Sequence, residues 1–548
     1  MKNSILILGI VLVGLTSCQR SLQRIIKNTE DATFIIYTYD EFGSPAGSGS
    51  GFFIDADGTG ITNYHVLDGS VKAIIKTTDG TEYEIDKVLA SDKNWDIVKF
   101  SIKSNGDTFK PLRFSRRQIE QGSVVYNISS PLGLEKTVSN GIVSALREDK
   151  LHGDIVQISA PISSGSSGSP ILDRNGNVVA VATMVKRGGQ NLNFGVRISA
   201  EKLELMTEND FVKTNKKFNS KSNFIILNIP SDKSAEITLN AIEFEENVTT
   251  LYMSYTNLNM AGGLTRYIWC ELDGKDKGFT LEDNNSKKDY YVTSSSIGVD
   301  RDNGTKVPLA TTLRFKIYLP AIKDRLKNIS VYGYGKNDGR WEFKDIDLNK
   351  YRAMVNVNFD DYNRNYALAI LHEGSLSDSQ DLLTEIIDEN PDDILALNTL
   401  GIISFAADNK SNALYYFGQA IKSNPNDEMA YVNRYAIYKD QQNYSAALDD
   451  INKAISIDPD QPENFAYRGY LYMDMRDWYN AKKDWDKVLD SEDFKRNPYI
   501  YLQRIYANAY LNNCTEVCKD VVTAYYLTND SELVKTLKEI WSRCGCRQ

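Results

Sequence analysis

A run of small residues, Ser163-Ser164-Gly165-Ser166-Ser167-Gly168-Ser169-Pro170, is the segment of the sequence that most suggests covalent chemistry. A serine that attacks an acyl carbon needs backbone N–H groups aimed at the developing oxyanion, and glycines permit the tight turn that aims them. This spacing favours Ser167 as the nucleophile, with the N–H groups of Gly165 and Ser167 as the donors. Taken alone, the segment fits a flexible serine-rich turn equally well.

A nucleophilic serine also needs a base, because its hydroxyl is a weak nucleophile at neutral pH. The sequence has three histidines, at positions 65, 152 and 372. His152 lies in a polar turn and His372 in a helical region, whereas His65 follows a strand and a turn in the same β-rich region as Ser167. His65 is therefore the candidate base. Asp96, directly before an apolar strand, is the candidate acceptor that orients the His65 ring.

The elements that would position these residues are short apolar strands, separated by Gly, Asp and Asn turns, from Phe34 to about Met206. This pattern predicts an all-β domain over residues 31–206. A lysine-rich stretch, residues 207–222, is interpreted as a linker. A second β region, residues 223–350, shows half-buried alternation at Leu313 to Leu319 and is predicted to be a small β-sandwich.

Five segments of the first β region together resemble trypsin-like proteases of the HtrA/DegP type. They are, in chain order, Gly47–Ile54 with Thr62–Val66, Asp96–Val98, Ser130–Leu134 with Val138–Ser144, Gly165–Pro170, and Asn193–Val196. The order of His65, Asp96 and Ser167 is also that of the chymotrypsin triad. The resemblance implies two six-stranded β-barrels with a triad in the cleft between them. It gives His65 the role of general base, Asp96 that of its orienter and Ser167 that of nucleophile.

The sequence departs from this family in two places that bear on activity and specificity. Ser166 stands where the family has Asn or Asp, so activation by a freed N-terminal amine is not expected. The resemblance places the substrate pocket at Pro161, Ile162, Asn193, Phe194 and Gly195. No acidic residue stands at the expected pocket base, which disfavours cleavage after Lys or Arg and favours a small or aliphatic P1 side chain.

A 34-residue period appears after about residue 360. It recurs in four columns, which are Pro391, Pro425 and Pro459; Ala413, Ala447 and Ala481; Gly401, Tyr435 and Gly469; and Ile387, Ile421, Ile455 and Leu489. The pattern resembles tetratricopeptide (TPR) repeats, with clear copies at 394–427, 428–461 and 462–495. It predicts a TPR domain over residues 360–548 with a C-terminal helical cap. A protein partner is expected on its concave surface.

The first residues read as an export signal. Lys2 is followed by an 11-residue apolar stretch, Ile5 to Leu15, and then by Thr16-Ser17-Cys18. This resembles a bacterial lipobox, so residues 1–17 are predicted to be a lipoprotein signal peptide, Cys18 the lipidated residue and 18–30 a tether. The alternative is a plain secretory signal. The expected location is the cell envelope, on a membrane facing the periplasm or exterior, with the outer membrane favoured.

The C-terminal cysteines, Cys514, Cys518, Cys544 and Cys546, are candidates for two disulfides in an oxidising compartment. A four-thiolate zinc site is the alternative, although CxxxC with CxC is a weak ligand spacing. Cys270, in an apolar run, is expected to be a buried thiol.

Composition is that of an ordinary globular protein of about three domains. The 548 residues carry a net charge of −10, with 42% hydrophobic and 25% charged residues, and no basic face is evident. A nucleic-acid partner is therefore disfavoured. The sequence thus predicts a lipid-anchored serine endopeptidase that acts on protein or peptide substrates and needs neither a metal nor an organic cofactor. The alternative functions are a catalytically silent trypsin-like/TPR scaffold and an assembly lipoprotein.

Overall fold

The structure is a computed structural model. It describes residues 23–129, 137–149, 153–162, 165–185, 193–206, 209–219, 223–232, 234, 236–261, 265–268, 270, 272, 278–298, 304–322, 326–333, 341–352, 366–368, 371, 376–491, 494–528 and 530–546. The predicted signal peptide, Cys18, Ser163, Ser164, His152 and His372 lie outside these residues. Within the residues that are described, no helix is both long enough and apolar enough to cross a bilayer.

Two closed six-stranded β-barrels make up the first β region, which confirms the barrel prediction. The first barrel comprises β1 (Thr33–Tyr39), β2 (Pro45–Phe53), β3 (Gly60–Thr62), β4 (Lys72–Thr77), β5 (Glu82–Asp92) and β6 (Ile97–Ile102). The second comprises β7 (Val124–Ser129), β8 (Thr137–Asp149), β9 (Gly153–Ile158), β10 (Pro170–Leu172), β11 (Val178–Val185) and β12 (Asn193–Arg197). Antiparallel pairing closes the first barrel through β1 with β4 and the second through β7 with β10.

The barrel interiors are filled by the inward-facing half of each alternating strand. In the first barrel, the Phe34 ring contacts Phe53 at a centroid distance of 4.6 Å and Phe100 at 6.0 Å. In the second, Val125, Val156 and other aliphatic residues form the core. Each fully buried side chain of this size stabilises the fold by about 1.5–3 kcal/mol. The two cores together hold rigid the loops that carry the candidate site.

Short helices connect and flank the barrels. They are α1 (Tyr64–Leu67), α2 (Ala200–Glu204) and α3 (Asp210–Thr214). The last lies in the stretch 207–222 that the sequence suggested was a linker. Phe211 of α3 is fully buried in the first barrel's core, with its ring 5.5 Å from that of Tyr64. The described part of the stretch, residues 209–219, is therefore part of the barrel structure, because the Phe211 and Phe218 side chains dock an otherwise largely polar segment.

The predicted tether, residues 18–30, also packs on the barrels where it is described. Residues 23–29 are helical, and Ile25 is buried in a cluster with Leu172 and Val178 of the second barrel. Thr29 caps this segment by donating a hydrogen bond to the carbonyl of Ile25 at 2.8 Å. The described part of this segment is thus folded onto the second barrel.

The second β region contains three sheets. Its strands are β13 (Phe224–Pro230), β14 (Ile237–Phe244), β15 (Val248–Thr256), β16 (Thr265–Ile268), β17 (Thr280–Asp283), β18 (Lys288–Tyr291), β19 (Ser294–Ser295), β20 (Thr305–Pro308), β21 (Thr312–Pro320), β22 (Asn328–Gly333) and β23 (Trp341–Asp347). The sheet orders are β13-β14-β15-β21-β19, β16-β20 and β18-β17-β22-β23. The first of these sheets shares a core with the first barrel, where Phe224 and Tyr252 pack against Tyr37.

The C-terminal region is helical, as predicted. After α4 (Leu348–Arg352), its helices are α5 (Leu376–Glu389), α6 (Ile394–Ala406), α7 (Lys410–Ser423), α8 (Glu428–Asp440), α9 (Tyr444–Ile457), α10 (Pro462–Asp474), α11 (Trp478–Leu489), α12 (Pro498–Tyr510), α13 (Cys514–Leu527) and α14 (Ser531–Arg543). Consecutive helices from α6 to α13 pack as pairs. Gly401 permits one such pairing, because a Cβ atom there would lie 2.5 Å from the Phe417 ring.

Two segments of the second β region, residues 256–268 and 305–312, belong to the same compact unit as these helices. The Asn433 side chain of α8 makes two hydrogen bonds to the backbone of the first segment. Its amide nitrogen donates to the carbonyl of Leu258 and its amide oxygen accepts from the N–H of Met260, both at 2.9 Å. Leu258, Met260 and Ala310 are buried among the helices. The predicted domain 223–350 is therefore not a continuous spatial unit.

Candidate active site

His65 and Asp96 lie within hydrogen-bonding distance. His65 is on α1, which follows β3, and Asp96 immediately precedes β6, the strand paired with β3. The Nδ1 atom of His65 is 2.8 Å from Oδ2 of Asp96, and the backbone N–H of His65 donates to Oδ1 at 3.0 Å. A carboxylate accepts only, so Nδ1 carries the proton and Nε2 is left as the acceptor in the neutral ring.

The side chains of His65 and Asp96 differ strongly in their exposure to solvent. The His65 side chain is 51% exposed, whereas that of Asp96 is 10% exposed. Further donors hold both the carboxylate and the backbone carbonyl of Asp96. Thr183 of β11 donates its hydroxyl to Oδ2, and Asn63 donates its side-chain amide to the Asp96 carbonyl at 2.8 Å. Asp96 is thus fixed from both barrels, while the His65 ring faces solvent.

Asp96 adopts a left-handed backbone conformation, with φ of 55°. Short polar residues such as Asp and Asn tolerate this region better than other side chains do. The conformation turns the chain just before β6, so that both carboxylate oxygens face α1. The Tyr64 N–H donates to the Asp96 carbonyl at 3.1 Å, which ties α1 to this turn.

The segment around Ser167 is a tight turn leading into β10. Gly165 and Gly168 have φ values of 83° and 89°. At Gly168 a Cβ atom would lie 2.1 Å from the Ser50 carbonyl oxygen, so only glycine fits. The Ser169 N–H donates to the carbonyl of Ser166 at 3.0 Å, which closes the turn. Ser167 therefore sits at the tip of a backbone turn that its glycines make possible.

Ser166, the residue that departs from the family pattern, is almost fully buried, with 1% exposure. Its hydroxyl donates to the hydroxyl of Ser129, the last residue of β7, at 3.1 Å. The neighbouring Ser169 hydroxyl accepts a hydrogen bond from the Asn127 amide at 2.7 Å. A neutral hydroxyl contact therefore anchors this position from within the second barrel.

The predicted pocket residues occupy neighbouring strand ends. Asn193 begins β12 and donates its side-chain amide to the Ala160 carbonyl at 2.7 Å. Pro161 is exposed and Ile162 is half-buried, so Pro161 does not form a closed floor. Phe194 is half-buried against the core between the barrels, and a Cβ atom at Gly195 would lie 2.4 Å from Ile171. The described part of this wall is uncharged.

The C-terminal cysteines form a cluster. Cys518 and Cys546 are joined in a disulfide, and the sulfur atoms of Cys514 and Cys544 lie 3.1 Å apart. A sulfur in a disulfide is not a thiolate ligand, so this arrangement differs from a four-thiolate zinc site. Within the described residues, no three Cys, His, Asp or Glu side chains converge as they would around a metal ion. Cys270 is a buried thiol, as expected.

Sequence reasoning missed Thr183 and Ser50. Thr183 is a polar residue within the apolar run Val178–Val185, and such an interruption can mark a side chain that faces a buried polar group. Ser50 lies between glycines in β2, where its type alone indicates no contact. Its hydroxyl donates to the Gly165 carbonyl at 2.8 Å and its N–H donates to the Ser167 carbonyl at 2.7 Å.

Comparison with known proteins bears directly on this site. Residues 49–181 match the family model of the trypsin-like peptidase domain, and this range includes His65, Asp96 and Ser167. This part of the chain is similar to a trypsin-like peptidase domain. Among the curated relatives, chloroplastic Protease Do-like 1 of Arabidopsis thaliana is 31% identical over 157 residues, which cover 27% of this chain and 36% of that protein.

A second relative is a probable periplasmic serine endoprotease, DegP-like, of Bartonella henselae. It is 35% identical over 168 residues, covering 28% of this chain and 32% of that protein. The chain thus spans about a third of the length of these two relatives. Among solved structures, the crystal structure of Deg5 has a chain that is 25% identical in sequence. The match covers 33% of this chain and 89% of the Deg5 chain, with a TM-score of 0.29. The family match and the curated relatives make the barrel region similar to trypsin-like and DegP-like serine proteases.

Proposed function

We propose that the protein is a serine endopeptidase in which His65 is the general base, Asp96 its orienter and Ser167 the nucleophile. The observation that carries this proposal is the pairing of His65 Nδ1 with a buried Asp96 carboxylate at 2.8 Å, which leaves Nε2 as the acceptor on an exposed ring. That is the tautomer a general base needs. The trypsin-like peptidase match, which spans Ser167, supports the same assignment.

The reaction is acyl transfer in two halves. Ser167 Oγ attacks the carbonyl carbon of the scissile peptide bond while its proton passes to His65 Nε2. The N–H groups of Gly165 and Ser167 donate to the oxyanion, the C–N bond breaks, and the amine leaves with the proton from His65. Water then gives a proton to His65 and attacks the ester, which releases the new carboxyl group and returns the proton to Ser167.

The substrates are protein or peptide chains with a small or aliphatic P1 side chain. The described pocket residues, Pro161, Ile162, Asn193, Phe194 and Gly195, bring no carboxylate to pair with a P1 Lys or Arg. The Asn193 amide is engaged by the Ala160 carbonyl, which leaves the apolar side chains to receive the substrate.

The C-terminal helices are proposed to be TPR repeats that bind a protein partner. In support, α6, α8 and α10 begin 34 residues apart, at 394, 428 and 462. On α8, the surface around Asn433 is already occupied by residues 256–261, because Asn433 bonds the backbone of Leu258 and Met260. Tyr467 and Tyr470 of α10 stand 34 residues after Asn433 and Ala436, and Tyr470 is partly exposed. The partner is therefore assigned to the surface of α10 and α12 rather than to that of α6 and α8.

Two further parts of the sequence prediction remain proposals. The five-stranded and four-stranded sheets are taken as the layers of a small β-sandwich, which is supported by the Tyr255 and Trp341 rings, one from each sheet, at a centroid distance of 6.2 Å. Leu15-Thr16-Ser17-Cys18 supports lipid attachment at Cys18 and a place on the outer membrane in the cell envelope. Mass spectrometry of the N-terminal peptide would reveal the lipid.

Labelling of the purified protein with a fluorophosphonate probe tests the catalytic proposal. The probe's phosphorus accepts the serine oxygen and releases fluoride, so it reports an activated nucleophile. We expect labelling of the wild type and none of Ser167→Ala, with labelling of His65→Ala reduced nearly to background. Failure of the wild type to label, or equal labelling of Ser167→Ala, would contradict the proposal and favour the silent scaffold.

A further inference from the structure

Ser50 belongs to β2 of the first barrel, yet its polar backbone and side-chain groups bond the nucleophile turn of the second. Its N–H donates to the carbonyl of Ser167 at 2.7 Å, and its hydroxyl donates to the carbonyl of Gly165 at 2.8 Å. The two partners are more than 100 residues away in the sequence. Ser50 is only 2% exposed, so water does not compete effectively for these bonds.

The two carbonyls that Ser50 holds belong to the two residues proposed to donate their N–H groups to the oxyanion. The planar peptide unit that carries the Gly165 carbonyl also carries the Ser166 N–H, so the Ser50 hydroxyl fixes the backbone plane that links the two proposed donors. Gly165 has no Cβ and is at φ of 83°, so its backbone is intrinsically less restrained than that of Ser166 or Ser167. The Ser50 hydroxyl supplies the restraint that a side chain at position 165 would otherwise give.

Neighbouring groups hold Ser50 itself in place. The Thr62 hydroxyl donates to the Ser50 carbonyl at 2.8 Å, and Gly168 packs directly against the same carbonyl. The backbone of Ser50 is therefore fixed by β2 and by these contacts whether or not its side chain carries a hydroxyl. A substitution of the Ser50 side chain should therefore remove the hydroxyl bond to Gly165 and leave the backbone bond to Ser167.

We propose that Ser50 is a positioning residue for the oxyanion hole, whose hydroxyl anchors the backbone between the Gly165 and Ser167 donors. The inference rests on the proposed serine endopeptidase function. The hydrogen bonds of Ser50 described above reach the nucleophile turn, so its proposed contribution concerns stabilisation of the transition state. Ser166, between the two donors, is held separately through Ser129.

The test compares Ser50→Ala with Ser48→Ala, a control on the same strand. Loss of a whole oxyanion donor lowers kcat by about 10²–10³-fold, and loosening one donor should cost about 10- to 100-fold. We expect kcat of Ser50→Ala on a peptide substrate to fall in that range with KM unchanged. The affinity for a peptide boronate, which mimics the tetrahedral intermediate, should fall by a similar factor. The pH at half-maximal kcat/KM should not move, and Ser48→Ala should match the wild type.

A folded Ser50→Ala protein with wild-type kcat and boronate affinity would overturn this inference and leave the proposed function standing. A rise in KM with kcat unchanged would also overturn it, because it would indicate a role in substrate binding. If Ser50→Ala does not fold, Ser50→Cys replaces it, since the thiol is a weak donor at the same place and an intermediate kcat is expected. A wild type that is not labelled by fluorophosphonate would remove the proposed function and this inference together.

Discussion

The peptidase site and the C-terminal helices are built from contacts of very different range. In the site, Asp96 meets residues 31 and 87 positions away, His65 and Thr183, and Ser50 meets Gly165 at a separation of 115. In the helices, one ion pair recurs at a fixed separation of 16 residues. The three pairs are Arg434–Asp450, Arg468–Asp484 and Arg504–Asp520.

This difference indicates where the effect of a substitution should appear. The site contacts form only when strands distant in sequence have closed both barrels, so the site is made or lost as a whole. The helical contacts join near neighbours, and repeat arrays of this kind gain stability from one neighbouring pair at a time. Changes in the site should therefore alter the chemistry, whereas changes in the helices should alter local stability and leave the chemistry intact.

The repeated ion pair is well suited to such a local role. Arg468 binds both carboxylate oxygens of Asp484, at 2.9 and 2.7 Å, and lies between the rings of Phe465 and Tyr472. Burial raises the pKa of Asp484, and the neighbouring Arg468 opposes that effect. The arginine also donates to Asn452 of the preceding helix pair at 2.7 Å. Each arginine of this kind can thus join one pair of helices to the next.

The largest expected effect is that of Asp96→Asn on turnover. Asparagine tolerates the positive φ of this position, so the fold should be retained. Its amide would face Nδ1 with a donor or favour the wrong tautomer of His65, and kcat should fall by about 10⁴-fold. Steady-state kinetics beside a melting curve would measure both effects. Near-normal turnover would show that Asp96 is not the orienter and would remove the basis of the comparison.

A smaller effect is expected for Asp484→Ala, and it should be on local stability instead of on turnover. Removing the carboxylate leaves the largely buried Arg468 without its main partner, which should cost about 2–4 kcal/mol of local stability. Hydrogen exchange in α10 and α11 would measure this as a lower free energy of opening, with fluorophosphonate labelling unchanged. Glu516→Ala, which breaks an exposed pair with Lys519, is the control and should cost under about 1 kcal/mol. A loss of labelling in Asp484→Ala would contradict the separation of roles.

The smallest effect is a gain in stability at Gly418. This glycine stands 34 residues before Asn452, the position that accepts from Arg468, and the space around it is open. Gly418→Ala should stabilise α7 by about 1 kcal/mol through helix propensity. Propensity alone predicts about 0.6 kcal/mol less for Gly418→Asn, but a new bond from Arg434 should offset that deficit. Hydrogen exchange of α7 would compare them, and a clearly weaker Asn variant would show that the arginine does not link these helices.

Local patterns in the sequence were sufficient to predict an all-β first region and a helical C-terminal region and to nominate His65, Asp96 and Ser167 as candidates, whereas the two six-stranded barrels were predicted from the family resemblance. Strand alternation and the 34-residue period are repeated signals, and each is carried by many residues. Thr183 and Ser50 could not be assigned in this way, because their importance comes from pairings between strands far apart in the chain. Nothing in the neighbourhood of either residue encodes its partner.

The same reasoning accounts for the differences between the predicted domain limits and those in the structure. Phe211 and Phe218 were the two aromatic residues of a lysine-rich stretch, and composition could not reveal that they pack on the barrel core. Leu258 and Met260 were ordinary apolar residues of a β-rich region, yet they are buried by helices that begin more than 100 residues later. Composition averages over a segment, whereas docking depends on one or two side chains.

The segment held by Asn433 makes the helical region less modular than its repeats suggest. A gene fusion that transferred only the stretch coding for residues 376–546 would deliver helices whose apolar groove had lost Leu258, Met260 and Ala310. The donor would in turn expose those side chains to water, and exposed apolar patches promote aggregation. Transfer of these helices between proteins as an independent domain is therefore disfavoured, because residues 256–268 and 305–312 would have to be transferred with them.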